Sequence, residues 1–277
     1  MKKLHFVLAA ILLIGFSTTT AVIAQKSTTK KAAVTSSVAT TQSPDSILFS
    51  EVKYRLVGPF RGGRSAAVAG SYVNNNTFYF GATGGGLWKT VDGGSNWKNL
   101  SDKKIGGNIG AIAVAPSDEN IIYVGEGENT MRGNVAEGLG GMWRSNDGGK
   151  TFTNIGLKEG RHIIRVIVHP RDPNTVWAAV VGHLFGPNPE RGVYKTTDGG
   201  KTWKQALFVN NQTGCSDLVM DPGNPSVLYA GMWRVQRTPH SMESGGEGSG
   251  LYKSTDGGDT WVNISQNKGL PKGVWGI

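Results

Sequence analysis

Apolar residues along this chain come in short runs, each closed by a cluster of Gly, Pro, Asn or Asp. None recurs at the 3.6-residue spacing of an amphipathic helix. Ser65–Ala69 is followed by Phe78–Ala82, Ile109–Ala115 by Ile121–Gly125, His162–Val168 by Val176–Val181, and Cys215–Met220 by Val227–Gly231. The first run of each pair favours small and β-branched residues, as a crowded inner strand requires. The second brings aromatics suited to packing between sheets. Pro116–Asn120, Pro170–Asn174 and Asp221–Pro225 connect the runs with strong turn chemistry. A third and a fourth run complete each unit, as in Gly86–Thr90 and Asn96–Leu100. The pattern predicts units of four short antiparallel strands over about 64–100, 109–156, 162–207 and 215–265.

One phrase sits between the third and fourth run of every unit: Thr90-Val-Asp92-Gly-Gly94-Ser-Asn96-Trp97, Ser145-Asn-Asp147-Gly-Gly149-Lys-Thr151-Phe152, Thr196-Thr-Asp198-Gly-Gly200-Lys-Thr202-Trp203 and Ser254-Thr-Asp256-Gly-Gly258-Asp-Thr260-Trp261. The aspartates are 55, 51 and 58 residues apart, the period of a repeat architecture. Asp bonds backbone groups two residues on, Gly accepts the positive φ of a tight turn, and the Ser or Thr hydroxyl joins the same network. Asp92, Asp147, Asp198 and Asp256 therefore read as structural residues of four hairpin turns.

The phrase Ser/Thr-x-Asp-x-Gly-x-Thr-Trp resembles the Asp-box, or BNR repeat. With strands of the type Ile112-Ala-Val-Ala-Pro-Ser-Asp-Glu-Asn-Ile-Ile-Tyr-Val-Gly125 ahead of it, the chain resembles secreted bacterial propellers of the sortilin N-terminal type, some of them labelled glycosyl hydrolases. Leu56–Arg64 and Ala82–Thr90 look like the start of that family's first blade, and the resemblance covers about residues 51–277. It implies an all-β propeller of four-stranded antiparallel blades. Four blades are present, and Leu270–Ile277 resembles the lead-in to another, so the expectation is a truncated propeller, the N-terminal part of a longer array. Asp-boxes occur in sialidases, xyloglucan-cleaving endoglucanases, sorting receptors and photosystem assembly factors, so the resemblance implies a fold more than an activity.

Lys2 and Lys3, the apolar run Leu4–Phe16 and the small residues of Ala21–Ala24 predict a signal peptide over 1–24. Residues 25–46 read as a disordered Ser/Thr/Lys-rich spacer, and the propeller region as 47–277. The expected location is secreted, periplasmic or on the cell surface, with no transmembrane segment after cleavage. The formal charge of +9 falls to +5 once Lys2, Lys3, Lys26, Lys30, Lys31 and Asp45 are set aside, and no concentrated basic run remains. An exported chain of this kind points away from nucleic acid and toward protein, peptide or glycan partners. The single Cys215 reads as a buried apolar side chain. His162, His169 and His183 lack ligand spacing, so neither metal nor other cofactor is expected.

Chemistry is expected on the rim away from the Asp turns, where longer second-to-third-strand loops mix acids, Arg, Asn, His and Trp. Arg61, Arg64, Arg132, Asn134, Trp233, Arg234 and His240 are the candidate ligand-binding residues, with Glu126 and Glu128 as candidate catalytic carboxylates. Two classes follow. The first is a binding or scaffolding module. The second is a xyloglucanase- or sialidase-like glycoside hydrolase, which needs two carboxylates about 5–9.5 Å apart across the scissile bond. Xyloglucan-cleaving members carry a catalytic Asp after the second strand of the first blade, where this chain reads Ala82-Thr-Gly-Gly-Gly86. The sialidase Arg-x-Pro ahead of the first repeat is missing, and Gly58-Pro-Phe-Arg61 matches it only loosely. Glu126 and Glu128 share one side of a strand end and do not face each other. The residues alone favour the binding module.

Overall fold

Four antiparallel sheets follow one another along the chain in the computed structural model, which describes residues 64–128 and 134–273. The chain divides into Met1–Val57 and Gly58–Ile277, and all described residues lie in the second unit. The expected signal peptide, the spacer and residues 47–63 lie outside the described residues. Sheet one is β1 (Ser65–Gly70), β2 (Phe78–Ala82), β3 (Gly86–Thr90) and β4 (Lys98–Asn99). Sheet two is β5 (Ile109–Ala115), β6 (Asp118–Glu126), β7 (Met142–Ser145) and β8 (Thr153–Asn154). Sheet three is β9 (Ile163–Val168), β10 (Val176–Val180), β11 (Gly192–Thr196) and β12 (Lys204–Leu207). Sheet four is β13 (Thr213–Asp221), β14 (Asn224–Arg237), β16 (Gly250–Ser254) and β17 (Val262–Asn263), with β15 (Met242–Ser244) paired to the end of β14. Strands pair in sequence order within each sheet, and β1, β5, β9 and β13 pack in succession. The one helical element among the described residues is a 3-10 turn at Lys158–Gly160.

Two strand lengths depart from expectation. The fourth strand of sheet one is two residues long, because Asn96 is still held in the turn by Asp92. Conversely, β14 runs into the expected long loop, where β15 folds back on it at Val235, Gln236 and Arg237. The stretch 233–245 is therefore largely a hairpin.

The turns themselves are one device repeated. The hydroxyls of Thr90, Ser145, Thr196 and Ser254 accept from the N–H of the second turn glycine at 2.8–3.0 Å and donate to the aspartate at 2.7–2.8 Å. Each aspartate then accepts the backbone N–H four residues on, at 2.9–3.0 Å. These donors hold the carboxyls low: Asp92 falls to about 2, chiefly through the Asn96 N–H, and the other three fall further, chiefly through the hydroxyls of Thr151, Thr202 and Thr260. The first turn glycine donates to a carbonyl just before or near the start of the second strand of its own sheet, at Asn76, Asn120, Asn174 and Ser226. Both kinds of turn thus share one rim.

Each sheet grips the turn of the next. A cation on the third strand lies over an aromatic ring of the second, as Lys89 on Tyr79, Arg144 on Tyr123 and Lys195 on Trp177, at 5.2–5.8 Å. From there Lys89 Nζ donates to the Gly148 carbonyl, Arg144 Nη1 to Gly199, and Trp177 Nε1 to Gly257. The second turn glycine cannot carry a side chain in these joints. At Gly149 and Gly200, with φ of 89° and 91°, a Cβ would fall 2.5–2.6 Å from Leu100 and Ile155 of the preceding sheet. Between sheets one and two lie Leu87, Ile109, Ile122 and Val124; between two and three, Tyr123, Met142, Ile163 and Val176; between three and four, Trp177, Cys215, Leu218 and Leu228, all at most 2% exposed. Each large aliphatic among them contributes about 1.5–3 kcal/mol by burial. Cys215 is a buried free thiol whose ionisation burial pushes up, as the sequence predicts for an apolar packing residue.

Candidate functional site on the loop rim

The second-to-third-strand connections emerge on the rim opposite the Asp turns, as antiparallel order requires. Arg61 and Arg132 lie outside the described residues. Glu126, at the end of β6, is buried, and its carboxylate organises the loop above it. Oε1 accepts from Gly106 N–H at 2.9 Å and Trp143 Nε1–H at 2.6 Å; Oε2 accepts from Gly140 N–H at 2.8 Å and Leu139 N–H at 3.2 Å. The loop backbone lies directly on this group, so that a Cβ at Gly140 would fall 2.5 Å from Oε1.

Glu128 is buried too. Arg64 Nη2 donates to Oε2 at 3.2 Å, and the Nε–Oε1 approach of 2.8 Å is an ionic contact lacking hydrogen-bond alignment. Ala136 N–H donates to Oε2 at 3.0 Å. The two candidate carboxylates therefore hold the backbone of residues 136–140 in place, and four donors on Glu126 leave it no vacant lone pair with which to move a proton.

Trp233 is not a surface anchor. It is 2% exposed, packs with Val135, Val181, Leu184 and Val235, and donates from Nε1 to Ser244 Oγ at 3.0 Å. A position inside a long strand, with the β14–β15 hairpin beside it, turns the indole inward. Arg234 binds its own hairpin, donating to Glu243 at 2.8 Å and to Gln212 Oε1 at 3.1 Å. Asn134 and His240 are exposed.

Several rim residues carried no readable signal in the sequence. His183 Nδ1 pairs with Glu137 Oε1 at 2.6 Å, and its ring lies 5.8 Å from Phe185. Arg191 is fully buried and donates only to carbonyls, of His183 and Gln212 at 2.8 Å and Gly186 at 3.3 Å; burial pulls it down to about 10, still a cation at neutral pH. It ties the 183–191 loop to the lead-in of sheet four. His162 is buried, donates from Nδ1 to the Glu128 carbonyl at 2.9 Å, and is held neutral by burial against the opposing pull of that carbonyl and of Glu137 and Glu128. Among the described residues, the side chains that the rim offers to solvent include Leu139, Phe185, Asn134, His240 and the Glu137–His183 pair. Apolar faces beside hydrogen-bonding groups are the chemistry that fits a sugar or a peptide. Among the described residues no cluster of His, Cys, Asp or Glu could hold a metal ion, and no helix is long and apolar enough to cross a membrane.

Comparison with known proteins follows this geometry. A family profile described as Sortilin-Vps10, "Sortilin, neurotensin receptor 3", matches residues 140–270. A xyloglucanase of Paenibacillus sp is 24% identical over 216 residues, 72% of this chain and 20% of its own. The dispase autolysis-inducing protein of Streptomyces mobaraensis is 30% identical over 137 residues, 47% of this chain and 35% of its own. The chain thus spans between a fifth and about a third of the length of these curated relatives. The crystal structure of an ancestral GH74 enzyme superposes with a TM-score of 0.58 at 23% identity, covering 77% of this chain and 25% of that one, and shares the fold. The resemblance to sortilin-type Asp-box propellers that the repeats predict is borne out, and it extends to proteins that are glycoside hydrolases by name.

Proposed function

We propose that the four sheets are Asp-box blades of an exported β-propeller whose loop rim engages a glycan of the xyloglucan type for hydrolysis. The observation that carries this reading is the similarity to a xyloglucanase over 72% of the chain. The solvent-facing rim supports it with side chains suited to sugar rings and hydroxyls. Residues alone favour a binding module; the relatives favour the hydrolase.

In this reading the described rim supplies substrate contacts, not the catalytic pair, since Glu126 and Glu128 are committed to loop donors and to Arg64. That same commitment favours one second reading, glycan binding without turnover. Two measurements on the full chain separate them: retardation in gels containing xyloglucan, and release of reducing ends from it. Retardation with release supports the hydrolase, retardation alone supports the binding module, and neither rejects a xyloglucan ligand.

A further inference from the structure

Trp143, Tyr194 and Tyr252 hold one register position on the third strands of sheets two, three and four, opposite Val124, Ala178 and Ala230. Each packs on the core shared with the preceding sheet. Two of them direct their polar group to a partner in their own sheet. Trp143 Nε1–H donates to Glu126 Oε1 at 2.6 Å, and Tyr252 Oη–H to the Gly248 carbonyl at 3.4 Å. Tyr194, in the joint between sheets two and three, has no hydrogen-bond partner among the described residues. Gln205, opposite it on β12, takes the Pro189 and Arg191 carbonyls at 2.7 and 2.9 Å, and Arg191 ties the same loop to Gln212.

Tyr194 lines a cavity of about 260 Å³ in that joint, together with Leu157, the linker turn Lys158–Gly160, Val180 and Glu190. Leu157 and Arg161, on either side of the turn, both hold φ at 53°, a left-handed conformation uncommon for residues other than glycine. Three backbone bonds pin this bend: Met142 N–H to the Gly156 carbonyl and Gly138 N–H to the Arg161 carbonyl, both at 2.8 Å, and Val181 N–H to the His162 carbonyl at 2.9 Å. The wall is fixed by the fold before any ligand arrives. Leu157, Val180 and the Tyr194 ring make the cavity largely apolar. Glu159 is paired with Arg161 at 2.7 Å, and Lys158 is exposed. That leaves two polar groups to the cavity. Burial and then Glu190 push the Tyr194 phenol up to about 12, so it remains a donor. The half-buried Glu190 carboxylate is an acceptor with no ion pair among the described residues.

We propose that this cavity binds a single neutral sugar ring, with the Tyr194 hydroxyl donating to one sugar hydroxyl, Glu190 accepting from another, and Leu157 and Val180 against the ring's apolar face. A few polar groups set in an apolar, preformed hollow are the usual make-up of a small-molecule site. Its volume of about 260 Å³ lies just below the roughly 300–1,000 Å³ of pockets for drug-sized ligands, which suits one ring and not a chain. The unpaired charge of Glu190 disfavours an acidic sugar. Sugar as the ligand class rests on the glycan reading above; the pocket and its two polar groups do not.

Saturation-transfer NMR on the full chain, titrated with D-glucose, D-xylose and D-glucuronate, reads this pocket. The wild type is expected to bind at least one of the two neutral sugars in the millimolar range, and glucuronate more weakly. Tyr194→Phe keeps the ring and its packing, so the thermal transition stays while affinity falls about fivefold. Glu190→Gln keeps an acceptor, retains the neutral sugar and raises glucuronate binding to its level, a change that a purely structural Glu190 would not produce. Retardation by xyloglucan is read separately. Retardation together with equal sugar binding by wild type and Tyr194→Phe overturns the pocket and leaves the rim's glycan reading standing. Sugar binding that depends on Tyr194, without retardation, supports the pocket and rejects xyloglucan as the ligand. No binding of either neutral sugar, or a wild type that prefers glucuronate, overturns the inference.

Discussion

On the turn rim, four turns hold their hydroxyl, carboxylate and glycine bonds to within about 0.3 Å of one another, with Asn96 filling through its amide the place that Thr151, Thr202 and Thr260 fill through hydroxyls. On the loop rim no two connections close alike. One is a tight turn after Ala82, one lies on the Glu126 carboxylate, one is laced to Arg191, and one becomes the β14–β15 hairpin. The difference is one of range. The hydroxyl and carboxylate bonds of the turns span two to four residues and recur wherever the phrase recurs. Loop bonds span up to 64 residues, as between Arg64 and Glu128. Local bonds reproduce a shape; long-range bonds allow each loop a different one.

The comparison breaks most visibly at Glu126. If the segment 139–143 depends on that carboxylate, Glu126→Ala strands several buried donors at once and costs about 3–5 kcal/mol in chemical denaturation. Glu126→Gln, which keeps one acceptor, costs less. Full stability of the alanine variant would free Glu126 from its structural role and return it to the candidates for proton transfer.

A turn should cost less, because its loss stays local. Thr196→Val leaves the buried Gly200 N–H without its acceptor and removes one donor to Asp198, for a loss of about 1–3 kcal/mol. The equivalent change at Ser145 should match it within error, since the two turns have the same bonds. Unequal losses at the two sites would show that neighbouring sheets, not the turn's own bonds, set its stability.

That contrast also explains what the sequence reveals. The four sheets and their order are legible because alternation and turn phrases are local properties, and β2, β3 and β5 fall on the expected residues. The loop rim is legible only as a place. Trp233 reads as a surface anchor, because nothing nearby in sequence shows that β15 will fold beside it. Glu126 reads as available, because its donors at Gly106, Leu139, Gly140 and Trp143 lie 13 to 20 residues away. Arg191 and the Glu137–His183 pair give no signal, since partners at unrelated distances of 5 to 46 residues leave no spacing to recognise.

The smallest effect separates the rims by pH. His162 titrates below its ordinary 6.5 in the fold because burial disfavours its charge, and the groups facing it are Glu128, Glu137 and His183. A histidine with a depressed folded value binds more protons when unfolded, so its contribution is intact above pH 6.5 and declines as pH falls below it. The slope is at most about 1.4 kcal/mol per pH unit. The turn aspartates also have depressed values, starting from an ordinary 3.8, so theirs is intact above that pH and is lost only in stronger acid. Between pH 7.5 and 5 the wild type should therefore lose stability through the loop rim alone. His162→Asn, whose amide can still donate to the Glu128 carbonyl, should flatten that part of the curve while leaving the acid limb below pH 4 unchanged. An unflattened curve would mean that His162 does not set the slope, and a shifted acid limb would mean that the two rims are coupled.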